Sequence, residues 1–375
     1  MAATSPSSWL LPARRDPAER PRVVALGGDG IGPEVVEATL TCLEALGAPL
    51  DIVKPPHGPE TRKSRGTPFP DELRGELDRA DAILFGAVDT GPKGSADILR
   101  YIRFTLDTYA NLRPAVSLAE VPARTGSGKT DMVIVRELTE GMYPGREGDL
   151  AELKRSAGDI EAQIGRSLPD DGAYALRVIT ERASRRIARY AAELAAKRAR
   201  EGRGPGRVTV VTKENVLKRT DGLFRRICEE ELAAHPELEV DHVYVDEAAR
   251  RMVACPETFD VVVTTNLFGD ILSDVASEVM GGMPMAPSAG IGERTAYFES
   301  CHGSAPDIAG QGAANPAATV LSAAMMLAYL GRPELGDKLA AAVLAAIASG
   351  VRTRDLGGDA GTGDMTRAIC EKLGA

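Results

Sequence analysis

Asp270 and Asp274 stand four residues apart in Asn266-Leu267-Phe268-Gly269-Asp270-Ile271-Leu272-Ser273-Asp274. On a helix the two carboxylates would share one face, one turn apart. They repel unless a cation lies between them, and oxygen-only ligands suit Mg²⁺ or Mn²⁺ rather than zinc. A solvated helix face with acids favoured by the helix dipole would carry the same pattern. The apolar run at residues 261–263 tilts the reading toward metal. It reads as a strand, and α/β proteins bind ligands at the carboxyl ends of strands.

Four arginines, Arg100, Arg103, Arg113 and Arg136, lie near apolar segments of an acidic chain. Guanidinium groups grip carboxylates through paired hydrogen bonds, so a cluster of them would serve a di- or tricarboxylate. Taken singly, each is equally an ordinary surface ion pair. Lys213, in Thr212-Lys213-Glu214-Asn215, follows the apolar run 208–211. A lysine there can act as a general base if a nearby cation lowers its pKa. Tyr143, in Thr139-Glu140-Gly141-Met142-Tyr143, would on its own be a packing residue. The small-residue loop His302-Gly303-Ser304-Ala305-Pro306-Asp307-Ile308-Ala309-Gly310, ahead of Asn315-Pro316, lets backbone approach a flat ligand. In it, Asp307 could accept hydrogen bonds from an adenosine ribose and would repel a 2′-phosphate.

These residues need a scaffold, and the hydropathy pattern supplies one. Residues 23–26, 82–87, 131–135, 208–212 and 261–264 read as buried strands. Residues 35–46, 180–200 and 222–232 read as helices between them. The alternation predicts an α/β protein with a largely parallel sheet. Residues 317–330 are small and apolar all round, as in a buried helix. Residues 144–173 break the rhythm and read as a surface arm or partner contact.

Two motifs mislead. Gly28-Asp29-Gly30 resembles the start of a dinucleotide fingerprint, but Pro33 stands where the third glycine belongs. Gly126-Ser127-Gly128-Lys129-Thr130 resembles a phosphate-binding loop, but it lacks the earlier glycine and is followed by a strand.

The chain has 375 residues, with 45 Lys plus Arg against 54 Asp plus Glu, a net charge of −9. That balance gives no reason to expect nucleic acid or an anionic membrane as partner. No apolar run reaches the length of a membrane span. Five scattered cysteines without a CxxC pair argue for a reducing compartment, the cytoplasm, rather than a disulfide framework. Residues 1–21, rich in Ser, Pro, Ala and Arg, read as a flexible tail.

Taken together, these motifs resemble the isocitrate/isopropylmalate dehydrogenase family of β-hydroxyacid oxidative decarboxylases, whose members also act on homoisocitrate and tartrate. The matching stretches run in the family's order: 28–35, 109–114, 135–143, 212–217, 264–274, 302–316 and Arg352-Thr353-Arg354-Asp355-Leu356-Gly357-Gly358-Asp359. The resemblance implies the family's own two-domain α/β fold, with a mainly parallel large-domain sheet, rather than a Rossmann fold. Residues 22–107 and 281–375 would form the large domain, which carries the cofactor loop. Residues 108–280 would form the small domain, with the dimer interface and an arm near 144–173.

The same resemblance implies the roles. Asp246, Asp270 and Asp274 would bind Mg²⁺ or Mn²⁺. Arg103, Arg113 and Arg136 would hold the malate part of the substrate. Lys213 would deprotonate the hydroxyl and Tyr143 would protonate the enolate after CO₂ leaves. Asn215, His302, Gly303, Ala305, Asp307, Ile308 and Asn315 would contact the cofactor. Asp307-Ile308 replaces the Lys-Tyr pair of NADP-using members, which points to NAD. Lys213 and Asp246 would come from the opposite subunit of a homodimer, with pairing into tetramers left open.

Substrate choice turns on the segment before Arg103. Arg100-Tyr101-Ile102-Arg103 resembles homoisocitrate dehydrogenases, in which the extra arginine meets a distal carboxylate. An arginine facing an isopropyl group would be left unpaired, at a cost of ~1–3 kcal/mol or more. Leu138 is isopropylmalate-like, and Ser300-Cys301 replaces the usual Pro-Val. The expected substrate is a 3-substituted malate with a distal anion, such as homoisocitrate. Isocitrate, a phosphonate-bearing isocitrate analogue and 3-isopropylmalate are the alternatives. A catalytically silent regulatory paralogue is the alternative of another class. Against it, the metal aspartates, Lys213 and Tyr143 are all present.

Overall fold

A computed structural model describes residues 5–13, 18–89, 91, 95–118, 121, 130–158, 165 and 167–374. The phosphate-loop look-alike lies outside them, apart from Thr130. The strands are β1 (Arg22–Gly28), β2 (Asp51–Val53), β3 (Ala82–Ala87), β4 (Ala110–Val116), β5 (Asp131–Glu137) and β6 (Glu147–Asp149). They continue with β7 (Ala173–Ala175), β8 (Arg207–Thr212), β9 (Glu239–Tyr244), β10 (Val261–Thr264), β11 (Pro287–Ile291) and β12 (Ala296–Ser300).

Ten of these strands form one sheet in the order β2-β1-β3-β12-β11-β4-β5-β10-β8-β9. Six of its nine pairings are parallel. The three antiparallel ones, β12–β11, β11–β4 and β4–β5, are contiguous and join two parallel halves. Strands β3, β4 and β10 are buried along their whole length. The apolar runs of β3 and β10 are what a sheet covered on both faces demands.

The helices cover those faces. Ala317–Tyr329 is buried at every position, as its uniform small and apolar composition requires. Gly32–Ala45 begins with Pro33 in its first turn, where the missing N–H costs nothing. β6 and β7 form a separate two-stranded ladder flanking the short Leu150–Ala157 helix. The 144–173 excursion therefore carries structure of its own.

The expected flexible tail is corrected for residues 5–13. Pro6–Trp9 is a 3₁₀ turn, and Trp9 is only 3% exposed. The turn packs on the Ala317–Tyr329 and Pro333–Ala348 helices. Leu11 N–H donates to the Tyr190 hydroxyl at 3.0 Å, and Ala13 N–H to the Tyr329 carbonyl at 3.0 Å. Burying one indole outweighs the polar composition around it.

Candidate active site

The antiparallel centre of the sheet collects the arginines. Arg113 lies on β4 and Arg136 on β5, where Arg136 pairs in register with Asn111 and Thr264. Asn266–Met280 is a helix, so Asp270 and Asp274 do share a face. Its first turn presses against Arg136. A Cβ on Gly269 would sit 2.6 Å from the Arg136 Cγ, so only glycine lets the side chain pass. Arg136 is 1% exposed, and its Nε and Nη2 donate to Asn266 Oδ1 at 3.0 and 2.7 Å. Its Nη1 donates to Asp270 Oδ1. Arg113 donates to Asn111 Oδ1 at 2.9 Å and Ser273 Oγ at 3.1 Å, and stands 3.8 Å from Asp270. Arg103 reaches in from the Tyr101–Thr105 turn. It donates to the Tyr297 hydroxyl at 3.0 Å and Glu299 Oε1 at 3.2 Å.

Charge balance in this cluster sets its protonation. Burial would push Asp270 up, but Arg136, the Tyr143 hydroxyl and Arg113 outweigh it and hold the carboxyl below its ordinary value. Tyr143 donates its hydroxyl to Asp270 Oδ2 at 2.5 Å, with the Arg136 guanidinium 5.1 Å from its ring centre. Burial raises the Tyr143 phenol above 10, against the pull of Arg136. Burial, then the like charge of Arg113, lowers Arg136. Asp274 is raised, first by burial and also by the Asp270 charge, while Arg113 opposes. Among the described residues no hydrogen bond reaches the Asp274 carboxylate.

Lys213 and Asp246 form a separate unit. Lys213 follows β8, and Asp246 opens the Val245–Ala254 helix after the neighbouring strand β9. They are ion-paired to each other, with side chains 27% and 66% exposed. The Lys213 hydrogen bond holds Asp246 below its ordinary value. Behind them, Asp221 accepts the Lys213 backbone N–H at 2.6 Å and fixes the loop.

The cofactor loop of the sequence reading leaves β12. It is tied to the glycine turn after β1, since Ile31 N–H donates to the Ser304 carbonyl at 2.9 Å. Gly30 has φ +59°, and a Cβ there would lie 1.9 Å from that same oxygen. Glu34, at the start of the next helix, accepts the N–H groups of Gly312 and Ala314 at 3.3 and 3.2 Å and the Thr362 hydroxyl. Ala305 adopts φ +37° without being glycine, a local strain of the kind found at ligand clamps. Asp307 is exposed and Ile308 half-buried, while burial lowers His302. Asn315 is committed within the chain: it donates to Asp355 at 2.8 Å and accepts the Ala317 N–H at 2.9 Å.

The chain thus brings together Arg103, Arg113, Arg136, Tyr143 and Asp270, with Asp274 one turn on. Among the described residues no hydrogen bond or ion pair joins Lys213 or Asp246 to them, although the Val245–Ala254 helix packs on Asn266–Met280. Among the described residues no trio of His, Cys, Asp and Glu closes on a metal site. Asn215 is exposed in the turn after Lys213, and no described contact links it to the 302–316 loop. Arg100 also stands apart. It is 68% exposed and its Nη1 donates to Asp97 Oδ1 at 2.8 Å. Four positioning residues escaped the sequence reading: Asn266, Ser273, Tyr297 and Glu299. A signal for the last two existed, because Tyr-x-Glu in a strand places two polar groups on one face.

A family model described as isocitrate/isopropylmalate dehydrogenase matches residues 22–369. The chain belongs to this family. It is 42% identical over 353 residues to a 3-isopropylmalate/3-methylmalate dehydrogenase of Methanocaldococcus jannaschii, covering 94% of this chain and 98% of that protein. It is 44% identical over 355 residues to an isocitrate/homoisocitrate dehydrogenase of Thermus thermophilus, with 94% and 98% covered. The crystal structure of isocitrate dehydrogenase from Methylococcus capsulatus superposes with a TM-score of 0.81 at 36% identity, covering 94% and 99% of the two chains.

As a family member, the protein is a decarboxylating dehydrogenase that acts on the CH–OH group of a hydroxy acid. The family's chemistry uses a nicotinamide dinucleotide and a divalent cation, and this chain's residues fit both. Asp270 and Asp274 offer adjacent carboxylate oxygens, the donor type a hard cation takes. In the 302–316 loop, His302 Nε2 is buried without a hydrogen-bond partner among the described residues, a group that a bound nucleotide could satisfy. No described helix is long and apolar enough to cross a membrane.

Proposed function

We propose that the enzyme oxidises and decarboxylates a 3-substituted malate bearing a distal anionic group, with NAD and Mg²⁺ or Mn²⁺. The carrying observation is the set of three guanidiniums of Arg103, Arg113 and Arg136, largely buried around Asp270 and Tyr143. So much fixed positive charge in an acidic protein calls for a polyanionic ligand.

When bound, the cation supplies positive charge beside the substrate hydroxyl and the ketone made from it, and the nicotinamide takes up the hydride. The chain's own residues do the rest. The arginines orient the malate carboxylates by charge-assisted hydrogen bonds. Lys213 takes the hydroxyl proton. Tyr143, kept protonated by burial, returns a proton to the carbon that loses CO₂. The exposed Asp307 carboxylate favours NAD over a 2′-phosphorylated cofactor.

Lys213 and Asp246 then belong to the active site of a second copy, in a homodimer of two-lobed subunits (22–107 with 281–375, and 108–280). Support comes from large apolar side chains exposed beside Lys213 and Asp246, Val216 at 59%, Val253 at 44% and Tyr244 at 37%, and on the Asp270 helix, Ile271 at 54%. An exposed apolar set of this kind marks an interaction surface. Five free cysteines suit a reducing cytoplasm.

A second reading, a 3-alkylmalate such as 3-isopropylmalate, has its own observation, because Arg100 is already paired with Asp97. A panel of 3-substituted malates, each with NAD or NADP and Mg²⁺, tests the proposal. The expected result is NADH formation fastest with homoisocitrate, and a preference for NAD of at least ~10-fold. Failure to turn over any 3-substituted malate would refute it.

A further inference from the structure

Arg177 follows β7 and meets three segments that carry candidate reacting groups. Its neighbour Val178 exchanges both backbone hydrogen bonds with Gly141, at 2.8 and 3.0 Å, two residues before Tyr143. The Arg177 side chain is 12% exposed. Its Nη2 donates to Oδ1 of Asp221, a fully buried carboxylate, and to Thr265 Oγ1 at 3.1 Å. The guanidinium carbon lies 4.9 Å from the centre of the Phe268 ring. Asp221 uses its other oxygen to accept the Lys213 backbone N–H at 2.6 Å. Thr265 and Phe268 belong to the start of the Asp270 helix, and the Thr265 hydroxyl does not cap that helix. One buried nitrogen thus ties the loop of Lys213 to the helix of Asp270.

Burial makes this tie stiffer than the ion pairs at the surface. Water screens an exposed pair, whereas removing either partner here leaves a charge buried alone. The Lys213 side chain is 27% exposed and ion-paired with Asp246, so its direction is set mainly by its backbone. A general base must stand within hydrogen-bond reach of the proton it takes. We infer that Arg177 is a positioning residue for Lys213: through Asp221 it fixes the lysine's backbone to the first turn of the Asp270 helix, and through Val178 that frame is joined to the Tyr143 loop. In the proposed dimer the tie is made within one chain, and it aims the lysine which that chain offers to its partner's site.

The inference rests on the proposed role of Lys213 as base, and the experiment separates the two. Steady-state kcat and KM are measured with NAD and Mg²⁺ on homoisocitrate, or on 3-isopropylmalate should the panel prefer it. The substrate is used with hydrogen and with deuterium on the hydroxyl-bearing carbon. The enzymes are the native homodimer, Arg177→Met, Arg177→Lys, the double variant Arg177→Met with Asp221→Asn, and Lys213→Ala. Arg177→Met should lower kcat roughly 10²-fold, the cost of a base displaced by about 1 Å. KM should change little, because Arg103, Arg113 and Arg136 still hold the malate. The isotope effect on kcat should rise, since chemistry then becomes the slow step in place of product release. A smaller folded fraction would lower kcat and leave the isotope effect as it was. The double variant strands no buried charge and keeps an acceptor for the Lys213 N–H. It should regain the thermal midpoint that Arg177→Met loses, while its kcat stays low. Arg177→Lys, which returns a cation near the place of Nη2, should recover most of the lost kcat. If the double variant recovers the native kcat, or if Arg177→Met lowers kcat at an unchanged isotope effect, the ion pair is structural and Arg177 has no positioning role. If Lys213→Ala keeps the native kcat, the assignment of the base falls, and the inference with it.

Discussion

The Arg136–Asp270 cluster and the Lys213–Asp246 pair use the same two kinds of charge in opposite surroundings. Arg136 is 1% exposed, and three of its nitrogens donate hydrogen bonds to residues of the Asn266–Met280 helix. Lys213 and Asp246 are 27% and 66% exposed and hold only each other by ion pairing among the described contacts. The first unit is pre-organised by its own chain. The second is anchored at the backbone but open on its working side. Among the described contacts of one chain the two units share no hydrogen bond or ion pair, so a site made of both needs a surface that brings them together.

The contrast predicts opposite couplings between activity and stability. Lys213→Ala and Asp246→Asn should each lower kcat roughly 10³-fold, within the range for loss of an acid–base group or metal ligand. The thermal midpoint should stay in place, because a water-exposed pair adds little to folding. A large fall in the midpoint would show that the pair is structural.

Arg136→Met should act on both. Losing one orienting guanidinium costs roughly 10²-fold in kcat/KM. Leaving Asn266 and Asp270 without their buried donor should lower the thermal midpoint by about 5 °C or more. Retained stability would mean that the cluster serves the substrate alone.

The smallest effect lies behind the cluster. Glu140 accepts hydrogen bonds from the Thr180 backbone and hydroxyl, and its carbonyl accepts from Asn266. Burial pushes its carboxyl up to about 7 from 4.5. Between those values the folded chain keeps a proton that the unfolded chain releases, so stability falls as pH rises through the window. Glu140→Gln should flatten that slope in denaturant melts at pH 4.5 to 7, and an unchanged slope would remove Glu140 as its source.

Much of this was legible in the residues themselves. Apolar runs marked β3 and β10, and the four-residue spacing of Asp270 and Asp274 required only that residues 266–280 be a helix. The partners of the arginines were harder to read. Tyr297 and Glu299 reach Arg103 only because β12 pairs with β3 and β11, and no local pattern encodes that pairing. Trp9 was lost in the polar composition of its neighbours, although a single indole was enough to dock the segment. The likeness of Arg100 to the homoisocitrate enzymes carries no information on its partner. Asp97, three residues away on the same helix, was the nearer physical fact.

The central claim is that Tyr143 with the arginines, and Lys213 with Asp246, reach one active site from two copies of the chain. A heterodimer of one Tyr143→Phe chain and one Lys213→Ala chain, isolated with two different affinity tags, tests it directly. Each parent homodimer should be inactive, and the heterodimer should recover about half of the native activity, because one of its two sites draws both intact residues. A heterodimer as inactive as its parents would contradict the claim, since each site would then be built within one chain.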